Sequence, residues 1–186
     1  DENLSKSHGS FMTATQIEYV SREFISQQLE AGVIHQGLAL LVSPLPQPSL
    51  DEICLQKNAN STLVVLDQIK DPRNVGAIIR SASALKAAAI IIPEKHSANF
   101  NGTVEKAAAG AADTLPIVHV KNLARTLKRI KEYDYWIYGL DAKADKTIEQ
   151  AELSGKLVFI LGSEEKGLRK LTTKLCDDLI KIPIQS

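Results

Sequence analysis

The sequence has no excess of either charge: 22 Lys and Arg stand against 22 Asp and Glu, for a formal net charge of zero. A strongly basic balance would by itself argue for nucleic acid, so any RNA binding must rest on local clusters. Cysteine is scarce. Cys54 and Cys176 lie far apart and form no C-x-x-C pair, so reduced thiols are expected, not a disulfide framework or a zinc ribbon. His35, His96 and His119 are scattered without metal-ligand spacing, and no metal is expected. No apolar run approaches the ~20 residues that span a bilayer. The opening DENLSKSHGS lacks the basic-then-apolar pattern of a signal peptide. Secretion and membrane insertion are therefore not indicated, and a cytoplasmic location is expected.

Two nucleotide signatures are also missing. The first strand-to-helix turn carries Asp71-Pro72-Arg73-Asn74 where a dinucleotide site would have G-x-G-x-x-G. Gly162 and Gly167 have the glycine spacing of a phosphate loop, but Leu168 stands where its Lys belongs.

What is present is ordinary globular composition, 44% hydrophobic and 24% charged. The pattern alternates strands with helices. A short helix is expected over 20–32, with Ser21 as its cap, and a strand over 33–45. Pro44, Pro46 and Pro48 mark a linker, and 50–56 reads as a short helix. Residues 1–57 are few for an independent core, so the catalytic domain is expected over 58–186. Within it, strands are expected at 63–66, 87–93, 116–120, 135–140, 156–162 and 178–184. Helices are expected after Asp71, over 104–115 (weakened by Gly110), after Asn122, and over 167–176. This order means α/β, with a mainly parallel sheet flanked by helices.

The chain is organised around LVVLDQIKDPRNVGAIIRSASAL, residues 63 to 85. A buried strand ends at Asp67. Asp71 caps the helix that follows, with Pro72 at its first position; Asn74 is a second candidate cap. Val75, Ile78, Ile79, Ala82 and Leu85 recur at helical spacing as a core stripe. Gly76 and Arg80 are four apart, at the carboxyl end of a strand, where ligands of open α/β sheets sit. The simplest role for Gly76 is to let another backbone, or RNA, come close. For Arg80 it is to cover a helix face or pair with a carboxylate such as Asp67.

The spacing Asn74-x-Gly76-x-x-x-Arg80 resembles the first motif of the SpoU (TrmH-type) RNA ribose 2′-O-methyltransferases of the SPOUT superfamily. LVFILGSEEKGLRKL, at 157–171, resembles their glycine-and-glutamate motif, and Ile182-Pro183-Ile184 begins their third. VIHQGLALLVSPL, around His35-Gln36-Gly37, is similar to the end of the amino-terminal RNA-binding domain of the large-subunit rRNA branch.

The resemblance implies S-adenosylmethionine as cofactor and a guanosine of large-subunit rRNA as target, with tRNA methylation or a non-catalytic RNA-binding module as alternatives. It implies Arg80 as the catalytic arginine, with Asn74 and Glu164 (Glu165 being its neighbouring alternative) beside it. A free guanidinium, with a pKa above ~12, is a poor base. It either loses its proton transiently in a dry site or stabilises a developing alkoxide while phosphate or water takes the proton. Leu140, Gly162, Ser163, Ile182 and Ile184 would hold the cofactor. Arg73, Lys166, Arg169 and Lys170 would meet RNA phosphates, the last three forming one local basic cluster with Lys174; Arg125, Lys128, Arg129 and Lys131 form another, whose simplest reading is a solvated helix face.

Family enzymes are homodimers, so a homodimer is expected. In the family a Ser-Leu-Asn segment and a helix that forms a trefoil knot follow the third motif. This sequence stops at Ser186, so a truncated knot segment is expected, together with a remnant of an amino-terminal α/β substrate-binding domain.

Overall fold

The computed structural model describes residues 16–29, 32–43, 48–56, 59–95, 97–98 and 100–183. Two compact units divide between Pro44 and Leu45, upstream of the boundary near residue 57 that composition suggests. The helix over Leu50–Cys54 belongs to the second unit because its inner side is core: Ile53 and Cys54 are fully buried among strand residues.

In the first unit, α1 (Arg22–Gln28) starts at Ser21, whose Oγ accepts the Phe24 N–H at 3.1 Å. The strand expected over 33–45 is not formed among residues 33–43. Gln36 and Gly37 both take left-handed φ, 52° and 86°, and the Gly37 N–H donates to His35 Nδ1 at 3.0 Å. That tight turn breaks the extended run.

The second unit opens with α2 (Leu50–Cys54), which carries a reciprocal Ser49–Glu52 capping box. Then follow β1 (Ser61–Asp67), α3 (Pro72–Ala84), β2 (Ala89–Pro93), α4 (Gly102–Ala108), β3 (Ile117–Val120) and α5 (Leu123–Lys131). After these come β4 (Trp136–Leu140), β5 (Lys156–Gly162), α6 (Lys170–Thr173) and β6 (Asp178–Ile180). The six strands form one sheet in the order β3-β2-β1-β5-β4-β6, and every pairing is parallel.

Strand alternation sends Leu63 and Val65 to one face and Val64 and Leu66 to the other. The first face packs with Ile53, Leu127 and Ile130; the second packs with Val75, Ile79 and Val104. Burying each such aliphatic side chain contributes about 1.5–3 kcal/mol. Where α3 crosses α4, a Cβ on Gly76 would lie 2.5 Å from Ala107 Cβ and 2.6 Å from the Val104 carbonyl. Gly76 therefore serves close helix packing, the first of its two expected roles.

Several expected elements are shorter. Leu85, expected in the core stripe, is 83% exposed; α3 ends at Ala84, and Lys86 turns the chain away with φ 59°. The helix expected over 104–115 stops at Ala108, because Ala109 and Gly110 go left-handed, and a short 3-10 turn at Ala111–Asp113 follows. The last helix keeps only Lys170–Thr173, since residues 163–169 are spent on a closed turn. The last strand ends at Ile180 because Lys181 pairs instead with Thr147; the rest of its expected span includes residue 184, outside the described residues.

Candidate active site

β1 and β5 are neighbours, with Asp67 opposite Gly162, yet their connections run apart. The chain leaves β1 towards β2 and leaves β5 towards β6. This reversal is the switch point at which open α/β sheets form a crevice beyond their carboxyl ends. The ends of β1, β5, β4 and β6 are consecutive along that edge, so Asp67, Gly162, Leu140 and the chain after Ile180 stand in a row.

From β1 the chain enters α3 with Asp71 as the cap: its Oδ1 accepts the Arg73 N–H at 2.8 Å. Asn74, in the first turn, is not the cap. Its Nδ2 donates to Oε1 of Glu164, from the other motif. Arg80 lies six residues further on, about 9 Å along the helix. It is exposed and forms no ion pair among the described residues. Arg73, Ala77, Arg80 and Ala84 form one exposed stripe of α3, as their helical spacing requires. The structure thus joins Asn74 to Glu164 and leaves Arg80 nearly two turns further along α3, on the exposed stripe that starts at Arg73.

Beyond β5 the chain doubles back. The Ser163 N–H donates to the Gly167 carbonyl at 3.1 Å, and the Gly167 N–H returns to the Ser163 carbonyl at 2.8 Å. The Lys166 N–H adds a bond to Ser163 Oγ at 3.2 Å. A Cβ on Gly162 would fall 2.3 Å from the Gly167 carbonyl carbon, so a side chain there would open the turn. Glu164, Glu165, Lys166 and Gly167 are exposed at its tip.

The expected cofactor residues fall along the same edge. Leu140 is half-buried beside Tyr138, Phe159 and Ile180, Gly162 and Ser163 begin the turn, and Ile182 is 54% exposed. Ile184 lies outside the described residues. Of the expected phosphate contacts, Arg73, Lys166 and Lys170 are exposed and, among the described residues, in no ion pair. Arg169 differs. Its backbone N–H and its Nε both donate to Asp67, at 3.1 and 2.6 Å. The Asp67 carboxylate is thereby claimed by Arg169, and the pairing with Arg80 does not occur.

Half of the upstream basic cluster is likewise occupied. Arg129 pairs with Asp51 and Glu132, and Lys131 with Asp177. Such exposed pairs contribute at most about 1 kcal/mol. Gly139 was not singled out from the sequence, yet a Cβ there would lie 2.7 Å from Leu168 and 2.8 Å from Cys176 Sγ. A lone glycine inside the YWIYGL strand is the signal for such a close approach. Burial, aided by neighbouring carboxylates, pushes both thiols up to about 11, so neither is poised as a nucleophile. Among the described residues no helix is long and apolar enough to cross a membrane. None of them form a group of three or more His, Cys, Asp or Glu placed to hold a metal ion.

The model of the family described as "SpoU rRNA Methylase family" matches residues 61–186, the whole sheet included. The chain belongs to the SpoU rRNA methylase family. A 23S rRNA (guanosine-2'-O-)-methyltransferase RlmB of Vibrio vulnificus is 42% identical over 93% of this chain and 70% of that relative. The protein of the same name from Escherichia coli K12 is 36% identical over 90% of this chain and 70% of its own length. Among solved structures, the SpoU methyltransferase AviRb of Streptomyces viridochromogenes, in complex with AdoMet, superposes with a TM-score of 0.69 at 25% identity. That match covers 76% of this chain, which spans 57% of the AviRb chain. The SpoU fold thus accounts for the all-parallel sheet and its β1/β5 switch.

Proposed function

We propose that this protein transfers a methyl group from S-adenosylmethionine to the 2′-oxygen of a ribose in RNA, a guanosine of large-subunit rRNA. The observation that carries the reading is the bond between Asn74 and Glu164 at the sheet's switch point. It unites two motifs that the sequence keeps 90 residues apart.

The residues present fit the cofactor. Its adenosine needs an apolar wall and main-chain groups, and the adjacent ends of β4, β5 and β6 supply the half-buried Leu140, the exposed chain at Ile182 and the closed turn from Gly162. Leu140, Gly162, Ser163, Ile182 and Ile184 would hold it. When bound, S-adenosylmethionine supplies an electrophilic sulfonium methyl.

The chain's own residues then have three tasks. Arg80, an exposed cation with no carboxylate partner among the described residues, offsets negative charge developing on the 2′-oxygen as water or an RNA phosphate takes the hydroxyl proton, the thioether of S-adenosylhomocysteine being the leaving group. Asn74 and Glu164 fix each other's side chains, so the ribose meets oriented polar groups and little alignment remains to be done. Arg73, Lys166 and Lys170 hold phosphates by charge. Residues 1–57 act in this reading as part of an RNA-substrate-binding segment, and the enzyme works in the cytoplasm as a homodimer.

The test is transfer of labelled methyl from S-adenosylmethionine to large-subunit rRNA, followed by digestion to nucleosides. The expected product is 2′-O-methylguanosine. Label on a base, or none on RNA despite folded protein and a range of rRNA substrates, overturns the reading.

A further inference from the structure

Asp67 is the only charged side chain among the described residues that is fully buried, with 0% exposure. Burying a carboxylate costs several kcal/mol unless it is paired and hydrogen-bonded, and replacing such a pair with apolar groups is often neutral. Stability alone is thus weak ground for its presence. Its geometry is more telling. Asp67 ends β1, opposite Gly162 where the glycine-and-glutamate turn begins. Its two oxygens take the backbone N–H and the Nε of Arg169, where that turn ends. The turn itself has an exposed tip and no core side chain of its own over 163–167. Its entry is fixed by the β1–β5 ladder, its middle by the Ser163–Gly167 bonds, and its exit by Asp67.

We propose that Asp67 is a positioning residue: by holding Arg169 it sets the shape of the 162–169 turn and with it the affinity for the cofactor's adenosine. The inference rests on the assignment of that turn to S-adenosylmethionine. It also withdraws the Nε of Arg169 from the expected RNA contacts. Only 38% of its side chain is exposed, and Nε is committed to the carboxylate.

The test uses the full chain with Asp67→Asn. The amide is isosteric but offers one acceptor where the carboxylate offers two. KM for S-adenosylmethionine is expected to rise about tenfold or more, the loss of one charged hydrogen bond, while kcat at saturating cofactor stays within about threefold. Amide hydrogen exchange at Ser163 and Gly167 should quicken, while the β1 amides of Leu63 to Leu66 stay protected. A purely structural role would instead loosen both sets together. If the Asn form does not fold, Arg169→Lys and Arg169→Met replace it. Lys, which keeps a cation near Asp67, should restore part of the cofactor affinity that Met loses.

Unchanged KM for the cofactor with unchanged turn protection overturns the inference. So does a rise in KM for RNA alone in the Arg169 variants, which would make Arg169 a phosphate contact. Failure of the unsubstituted protein to bind S-adenosylmethionine overturns the methyl-transfer reading instead, and the affinity part of this inference with it; the exchange of the Ser163 and Gly167 amides still decides whether Asp67 holds the turn.

Discussion

Asn74 and Glu164 meet through a hydrogen bond from Nδ2 to Oε1 although 90 residues separate them. One stands in the first turn of α3, the other on the turn after β5. Only the adjacency of β1 and β5 brings them together. Each holds the other's side chain, so they should act as a unit. Glu164→Ala and Asn74→Ala are each expected to lower kcat about tenfold or more, and the double variant to cost little beyond either single one. Strictly additive losses in a double-mutant cycle would mean that the two act separately.

Gln68 follows Asp67 with φ 65°, a left-handed conformation that costs a side-chain-bearing residue of order 1 kcal/mol. Gln68→Gly relieves that strain, although glycine also gains freedom in the unfolded chain. A net rise in Tm of up to about 2 °C is expected. A fall in thermal melting would show that the Gln68 side chain makes stabilising contacts.

The reverse holds at Gly76. A Cβ there would sit 2.9 Å from the Ala108 nitrogen as well as against Ala107 and Val104, and two of these three neighbours are backbone. Gly76→Ala should destabilise by about 1–3 kcal/mol through overpacking, against the ordinary gain from Ala in a helix. Denaturant unfolding reads the difference, and an unchanged midpoint would mean that α4 shifts freely.

The strand after Asn60 and the Asp71-Pro72 cap are legible in the sequence because each is local: an apolar run, then a short acceptor before a residue of fixed φ. The alternation of strands and helices likewise yields a parallel sheet. Strand order is another matter. Nothing near Gly162 says that β5 inserts between β1 and β4, so the Asp67–Arg169 bond, spanning 102 residues, escapes any local reading. Leu85 has the right spacing for the core, but its helix ends one residue too soon. Residues 33–43 have strand composition, yet the Gln36–Gly37 turn interrupts them. The Arg129 and Lys131 cations look available until Asp51 and Asp177 arrive from elsewhere.

The thiols give a pH dependence. Burial is the main reason that Cys54 and Cys176 are pushed up to about 11, above the ordinary thiol value of about 8.5. At pH 8 roughly a thousandth of each is thiolate, so modification by a disulfide reagent should be slow in the native protein and fast in denaturant. The folded state holds these protons more tightly than the unfolded one. Their contribution to stability is therefore complete below the unfolded value and is lost as pH rises from about 8.5 towards 11. Rapid native labelling at pH 8 would contradict this.

The most direct test compares the full chain with its Arg80→Ala form, measuring S-adenosylmethionine binding by calorimetry and methyl transfer to large-subunit rRNA side by side. Arg80 is exposed and outside all three core clusters, so the variant should fold and bind cofactor within about threefold of the unsubstituted protein. Its transfer to the ribose 2′-oxygen should fall by about 100-fold or more, as when an oxyanion-stabilising group is removed. Transfer at the unsubstituted rate by Arg80→Ala would contradict the account at its centre.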